Sequence, residues 1–303
     1  MPAILKVTLG SVVYLVLTGF LAALIAFPVF LLEGTGDVSF LRSLVSRIGQ
    51  GVLLIGFYPL ALGLSLKPRD LGLSWPPLNA IPKGFLIGVA LLGGHAVFLA
   101  LTQIRIFVPP SVAHGLPLVS LLIKSLGIGL GVAVLEEITF RGAMLGVFLK
   151  TLTRPQALAI SAFFFAALHF IGSQWSAPAA NLGFDAPFRI AMDGFANLVH
   201  APMDAFLALF VAGLFLGLVR LHFRGGLGLC IGIHAGWVFV IRLTKTWTYP
   251  NPKSEAAAWI STYDHVIGYF SALWLGLGVM ALIYFFHTAK GPTGIIAGSG
   301  DNP

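Results

Sequence analysis

The chain has 303 residues, 57% of them hydrophobic and only 10% charged, and a formal net charge of +7. Water-soluble domains carry about 25% charged residues, so 18 basic and 11 acidic side chains cannot solvate a surface of this size. The solvent for most of it must be lipid. The basic residues stand singly or in pairs beside apolar runs, without a patch of interleaved aromatics, so they read as membrane-flanking anchors and not as a nucleic-acid surface.

A helix needs about 20 mostly apolar residues to cross the hydrocarbon layer. Eight stretches of that kind follow one another: 4–32, 45–66, 84–108, 116–134 continuing apolar to 150, 155–172, 203–221, 226–243 and 263–286. The expected fold is therefore all-α, a polytopic integral membrane protein of about eight transmembrane helices. The first stretch is too long for a secretory signal, whose apolar region runs about 7 to 15 residues, and reads as a retained helix. The organisation expected is an N-terminal group of helices over 1–115, a core over 116–243, a loop and last helix over 244–286, and a disordered tail over 287–303. Cys230 lies inside an apolar run, so neither a disulfide framework nor a thiol cluster for a metal is available.

Nine Lys and Arg fall on one side of the membrane (Lys6, Lys67, Arg69, Lys83, Lys150, Arg154, Arg220, Arg224, Lys290) and five on the other (Arg42, Arg189, Arg242, Lys245, Lys253). The bias places both termini in the cytoplasm, and the compact loops suggest a bacterial inner membrane. Residues 186–200 set Arg189, Asp193 and Asn197 four residues apart, with Phe188, Ala191, Phe195 and Leu198 on another face. This is the pattern of an amphipathic helix at the interface, serving to tie down a long loop.

An ionisable group inside a span costs roughly 2.5 to 3.5 kcal/mol on insertion scales, so each one needs a partner or a function. Those well inside are Glu136, Glu137 and Arg141 in the fourth stretch, His95 in the third, His169 in the fifth and His234 in the seventh. Glu137 and Arg141 share a helix face and can pair, whereas Glu136 points about 100° away. Desolvated and less compensated, Glu136 is suited to taking and giving a proton. Counted from the cytoplasmic ends, Glu136 lies 14 residues before Lys150, His169 14 after Pro155 and His234 10 after Arg224. Similar depth on three helices suggests one site. A carboxylate with two imidazoles serves either a general base acting on water beside oxyanion donors or a zinc ion that activates water. Spacing does not decide between them.

These residues resemble the CPBP family of intramembrane proteases, the CAAX protease and bacteriocin-processing (Abi) group that includes the Ras-converting CAAX prenyl endopeptidase. The motifs are EExxxR at Glu136, Glu137 and Arg141, FxxxH at Phe165 and His169, and HxxxN/D at His234, where Val238 replaces the Asn or Asp. The resemblance covers about residues 116–243. It implies a glutamate peptidase without a metal cofactor. Glu136 is the implied base, Glu137 and Arg141 its supporting pair, His169 a neighbour of the water and His234 a donor to the oxyanion. Phe165 either packs on the imidazole or lines the substrate groove. The implied substrate is a peptide or membrane-anchored protein, cleaved at a bilayer surface with no nucleic acid involved.

HExxH and GxSxG motifs are missing. Tyr263-Asp264 and Asp301 imitate the motifs of aspartyl intramembrane proteases, but Asp301 falls in the polar tail, outside any span. Two alternatives of another class remain: a proton-coupled transporter, for which embedded Glu, Arg and His are equally expected, and a proteolytically inactive relative that binds partner proteins, which the valine at 238 would suit. His95 stands outside the motifs and is expected to make a helix-to-helix hydrogen bond.

Overall fold

A computed structural model describes residues 2–34, 36–63, 65–68, 70–72, 79–108 and 118–288. Among them, seven helices are long and apolar enough to cross a membrane, and the chain is an integral membrane protein. They are α1 (Ala3–Glu33), α2 (Val38–Gly63), α3 (Ala80–Leu101), the continuous run of α4 (Leu118–Glu137), a π-helical stretch (Ile138–Met144) and α5 (Leu145–Phe148), then α8 (Met203–His222), α9 (Gly226–Trp247) and α10 (Tyr269–Thr288). The remaining apolar stretch folds as α6 (Arg154–Leu168), 15 residues long. At 1.5 Å per residue it spans about 22 Å, short of a full crossing. Its start is set by a capping box between Thr153 and Gln156 with proline at the first turn.

Two expected spans are shorter than their apolar runs. The third stops at Leu101, not at 108, and gives way to strand β1 (Arg105–Phe107), which pairs antiparallel with β2 (Thr248–Pro250) beyond α9. The cause is Arg105, whose guanidinium is buried on Thr248, with Nε to Oγ1 and Nη2 to the carbonyl both 2.7 Å. The last span starts at Tyr269, not at 263, because Asp264 turns the chain by accepting from the backbone N–H groups of Val266 and Ile267, each at 2.9 Å. Most of the expected tail, 289–303, lies outside the described residues.

The amphipathic segment forms α7 (Ala186–Ala196) and a following 3₁₀ turn (Asn197–His200). It buries Ala186, Ile190 and Gly194 and packs on α1 and α2. Asp193 Oδ2 accepts from Ser173 Oγ and from the N–H groups of Gln174 and Trp175 at 2.7 to 3.0 Å. Asn197 donates to the carbonyl of Gly172 at 2.7 Å. These bonds fasten the loop that leaves α6.

Helix α9 is the buried centre, wedged between α3 and α4. Gly84 and Gly88 on α3 face Gly232 and Gly236 on α9, a small-residue seam that brings two backbones together where apolar side chains gain little over lipid. A methyl group on Gly236 would lie 2.6 Å from the carbonyl oxygen of Phe85, and one on Gly129 of α4 would lie 2.8 Å from that of Ala235. His234 sits between these contacts, so its position is set by backbone-to-backbone packing.

Candidate active site

The α4 helix carries Glu136 and Glu137 at its end, where the backbone loosens into the π-helix that contains Arg141. Such local π turns recur at functional sites. Ser161 of α6 donates to the carbonyl of Phe140 at 3.3 Å and Thr139 to that of Leu135 at 2.7 Å, which secures carbonyls around the wider turn. Gly142 and Gly146 leave room for the backbone of Leu71 and Asp70 against the same stretch.

The structure gathers the three motifs into one cluster. Arg141 Nη1 lies 3.1 Å from Glu137 Oε1, with both side chains essentially without exposure. Glu137 Oε1 also accepts from His234 Nδ1 at 2.8 Å. On the far side of that ring, His234 Nε2 is 3.9 Å from Glu136 Oε2, and His169 Nε2 is 3.7 Å from the same oxygen. His169 donates through Nδ1 to the carbonyl of Phe165 at 2.7 Å. Each imidazole thus spends its Nδ1 proton elsewhere and turns Nε2 to Glu136. Glu136 Oε2 is buried and has no hydrogen-bond partner among the described residues.

Phe165 stands behind this face, 2% exposed, and does not line the cavity beside it. Its ring takes the Arg141 guanidinium 4.0 Å from its centroid and the edge of His169 at 4.7 Å between centroids. Of the two uses expected for it, the geometry is that of packing on the imidazole.

Glu136 and His169 open on a cavity of about 640 Å³ between α1, α2, α4 and α7, whose polar wall includes Thr139, Arg47, Gln50 and Tyr263. His234 is 7% exposed and is not part of that wall, so the oxyanion contact implied for it is not open to a bound carbonyl in this arrangement. A smaller cavity of about 200 Å³, between α1, α6 and α8, has no ionisable side chain on its wall.

Glu136, His169 and His234 are donor types that bind zinc. A tetrahedral ion with bonds of about 2.0 to 2.1 Å would need oxygen-to-nitrogen separations near 3.3 Å, narrower than the 3.7 and 3.9 Å found. No group of three His, Cys, Asp or Glu among the described residues is placed to hold a metal ion. The cluster as it stands does not fit one.

Three features escaped the motif reading: the π-helix, the buried Arg105, and Tyr263 on the cavity wall. Asp264 is taken up in its own loop, accepting from the N–H groups of Val266 and Ile267. His95 bonds, through Nε2, to the carbonyl of Val266 at 3.2 Å, in the loop before α10 and not on a helix.

No curated protein and no solved structure is similar enough to the chain to match it. Residues 118–240, which hold the three motifs and the whole cluster, match the family model described as Type II CAAX prenyl endopeptidase Rce1-like, so this part of the membrane protein is similar to that family.

Proposed function

We propose that the protein is an intramembrane endopeptidase that hydrolyses a peptide bond of a membrane-associated protein or peptide with water activated by Glu136. The observation that carries this reading is the unpartnered Glu136 Oε2, faced by two imidazole Nε2 atoms whose rings are anchored through Nδ1. A water molecule in the gap between Glu136 Oε2 and the two Nε2 atoms can donate to the carboxylate and lie within reach of both rings.

In the proposed reaction the water oxygen bonds to the scissile carbonyl carbon while Glu136 takes its proton and the carbonyl π pair moves onto oxygen. When that pair returns, the C–N bond breaks and Glu136 passes the proton to the leaving amine. His169, on the cavity wall, orients the water. Glu137 fixes the tautomer of His234, and Arg141 balances the charge of Glu137. No metal enters these steps. The basic bias of the loops supports a reading in which both termini lie in the cytoplasm of a bacterial inner membrane.

The test is cleavage of a dye-labelled prenylated CAAX peptide and its unprenylated counterpart by purified protein in liposomes, with wild type, Glu136→Ala and His169→Ala, each with and without a strong chelator. The expected result is cleavage by wild type, indifferent to chelation and lost in both variants. Loss on chelation with recovery on adding zinc would overturn the metal-free mechanism. The inactive partner-binding reading is favoured by Val238, which has no donor to offer a substrate oxygen. It wins if wild type cleaves neither peptide and Val238→Asn does.

A further inference from the structure

A hydrolytic site needs a donor for the oxygen that becomes negative, and Val238 and His234 do not supply one to the cavity. Tyr263 does lie on the cavity wall with Glu136 and His169. It is 43% exposed, and its ring meets Phe170, the residue after His169, edge-on at 5.1 Å. It lies outside the residues matched by the family model.

The loop that presents it is held with unusual completeness. Ser261 Oγ donates to Asp204 at 3.0 Å and accepts the N–H of Tyr263 at 3.1 Å. The backbone closes on itself from Ser261 N to the Ile267 carbonyl at 2.7 Å. His265 takes the left-handed conformation at φ 61°, a cost borne where surrounding structure imposes it. Two buried basic residues outside the motifs converge on the same loop: Arg105 donates to the carbonyl of His265 and His95 to that of Val266. Four polar side chains on four separate segments, Ser261, Asp204, Arg105 and His95, thus fix the loop that sets Tyr263 on the cavity wall.

We propose that the Tyr263 hydroxyl donates a hydrogen bond to the oxyanion formed on the scissile carbonyl, the part left vacant by the valine at 238, and that His95 and Arg105 are positioning residues for it. This rests on the hydrolytic reading above. The phenol keeps its proton throughout. Burial, and then the neighbouring carboxylates of Asp264 and Glu136, raise the Tyr263 pKa above its ordinary value of 10.0, so the hydroxyl is protonated at neutral pH with or without the shift.

The experiment compares wild type, Tyr263→Phe, Tyr263→Phe with Val238→Asn, and Glu136→Gln on the prenylated peptide, together with 3-fluorotyrosine placed at position 263 and titrated by ¹⁹F resonance. Tyr263→Phe retains the ring against Phe170, so a packing role predicts no change. The proposal predicts a fall in kcat of about 10- to 1,000-fold with KM little altered, partial recovery when Val238→Asn is added, and a lower phenol pKa in Glu136→Gln. Wild-type kcat in Tyr263→Phe with a dead Glu136→Gln would overturn the proposal alone. An active Glu136→Gln would overturn the hydrolytic reading beneath it. Should wild type cleave nothing, a phenol titration unmoved by Glu136→Gln would still overturn the proposal, because the two groups would not share the site.

Discussion

Two clusters of ionisable side chains among the described residues differ in what is left over. Around Arg105 and His95, donors meet backbone carbonyls and hydroxyls of the β2 strand and the loop before α10, and neither side chain leaves a buried polar atom without a partner among the described residues. Around Glu136 the pairing is incomplete: Oε2 of Glu136, Oε2 of Glu137 and Nη2 of Arg141 are buried without a hydrogen bond among those residues. Buried polar atoms are nearly always satisfied, and the exceptions concentrate where a protein binds or reacts. Ser125 Oγ, Arg220 Nε, Trp237 Nε1 and Arg242 Nε are also buried without a partner among those residues, so what marks the Glu136 cluster is that three such atoms fall on one connected set of ionisable groups.

The largest effect is expected from Glu136→Gln. An unsatisfied base should matter for rate and little for folding, so cleavage of the prenylated peptide should fall by about 10² to 10⁴-fold while the melting temperature in detergent holds or rises. Next in size is Arg141→Met, which strands the carboxylate of Glu137 in the interior. Breaking a buried pair costs about 3 to 5 kcal/mol, seen as a large drop in melting temperature, and adding Glu137→Gln should recover much of it. An unchanged melting temperature would mean that the pair is not buried as described.

Arg105→Met tests the other set. It leaves the carbonyls of Thr248 and His265 unpaired, each costing about 1 to 3 kcal/mol, so the protein should lose stability and the loop that carries Tyr263 should exchange its amides faster. The smallest effect belongs to α7. Hydrogen bonding from Ser173, ahead of the backbone of Gln174 and Trp175, holds the Asp193 carboxyl below its ordinary value of 3.8. A lowered folded pKa contributes stability present above the unfolded value and lost as pH falls through the folded one. The segment 173–175 should therefore loosen only at pH below the usual carboxylate range. Amide exchange there should resemble that of Asp193→Asn at low pH and differ from it at neutral pH.

Hydropathy made most of the bundle legible, since runs of about 20 apolar residues have one outcome in lipid. It misjudged the ends at Arg105 and Tyr263, because an arginine that finds carbonyl partners and an aspartate that caps a turn end a span within an apolar run. Helical spacing foresaw the Glu137–Arg141 pair, and similar depth foresaw that His169 and His234 would meet Glu136. Depth along a helix says nothing about facing. That His234 turns one nitrogen to Glu137 and stays off the cavity wall depends on the glycine seam around it, and glycine is too common in membrane helices for a sequence to mark the seam. Tyr263 comes from a separate loop, more than 90 residues from the two motifs it joins, and no spacing connects them.

In the proposed reaction Glu136 acts on water and is not itself the nucleophile. A single turnover in ¹⁸O-water, with protein in excess over the prenylated peptide, tests it most directly. Water activation places one ¹⁸O atom in the new C-terminal carboxylate of the product and none in the Glu136 peptide recovered from the protein. Label in the carboxyl group of Glu136 would reveal a covalent acyl intermediate and contradict the account.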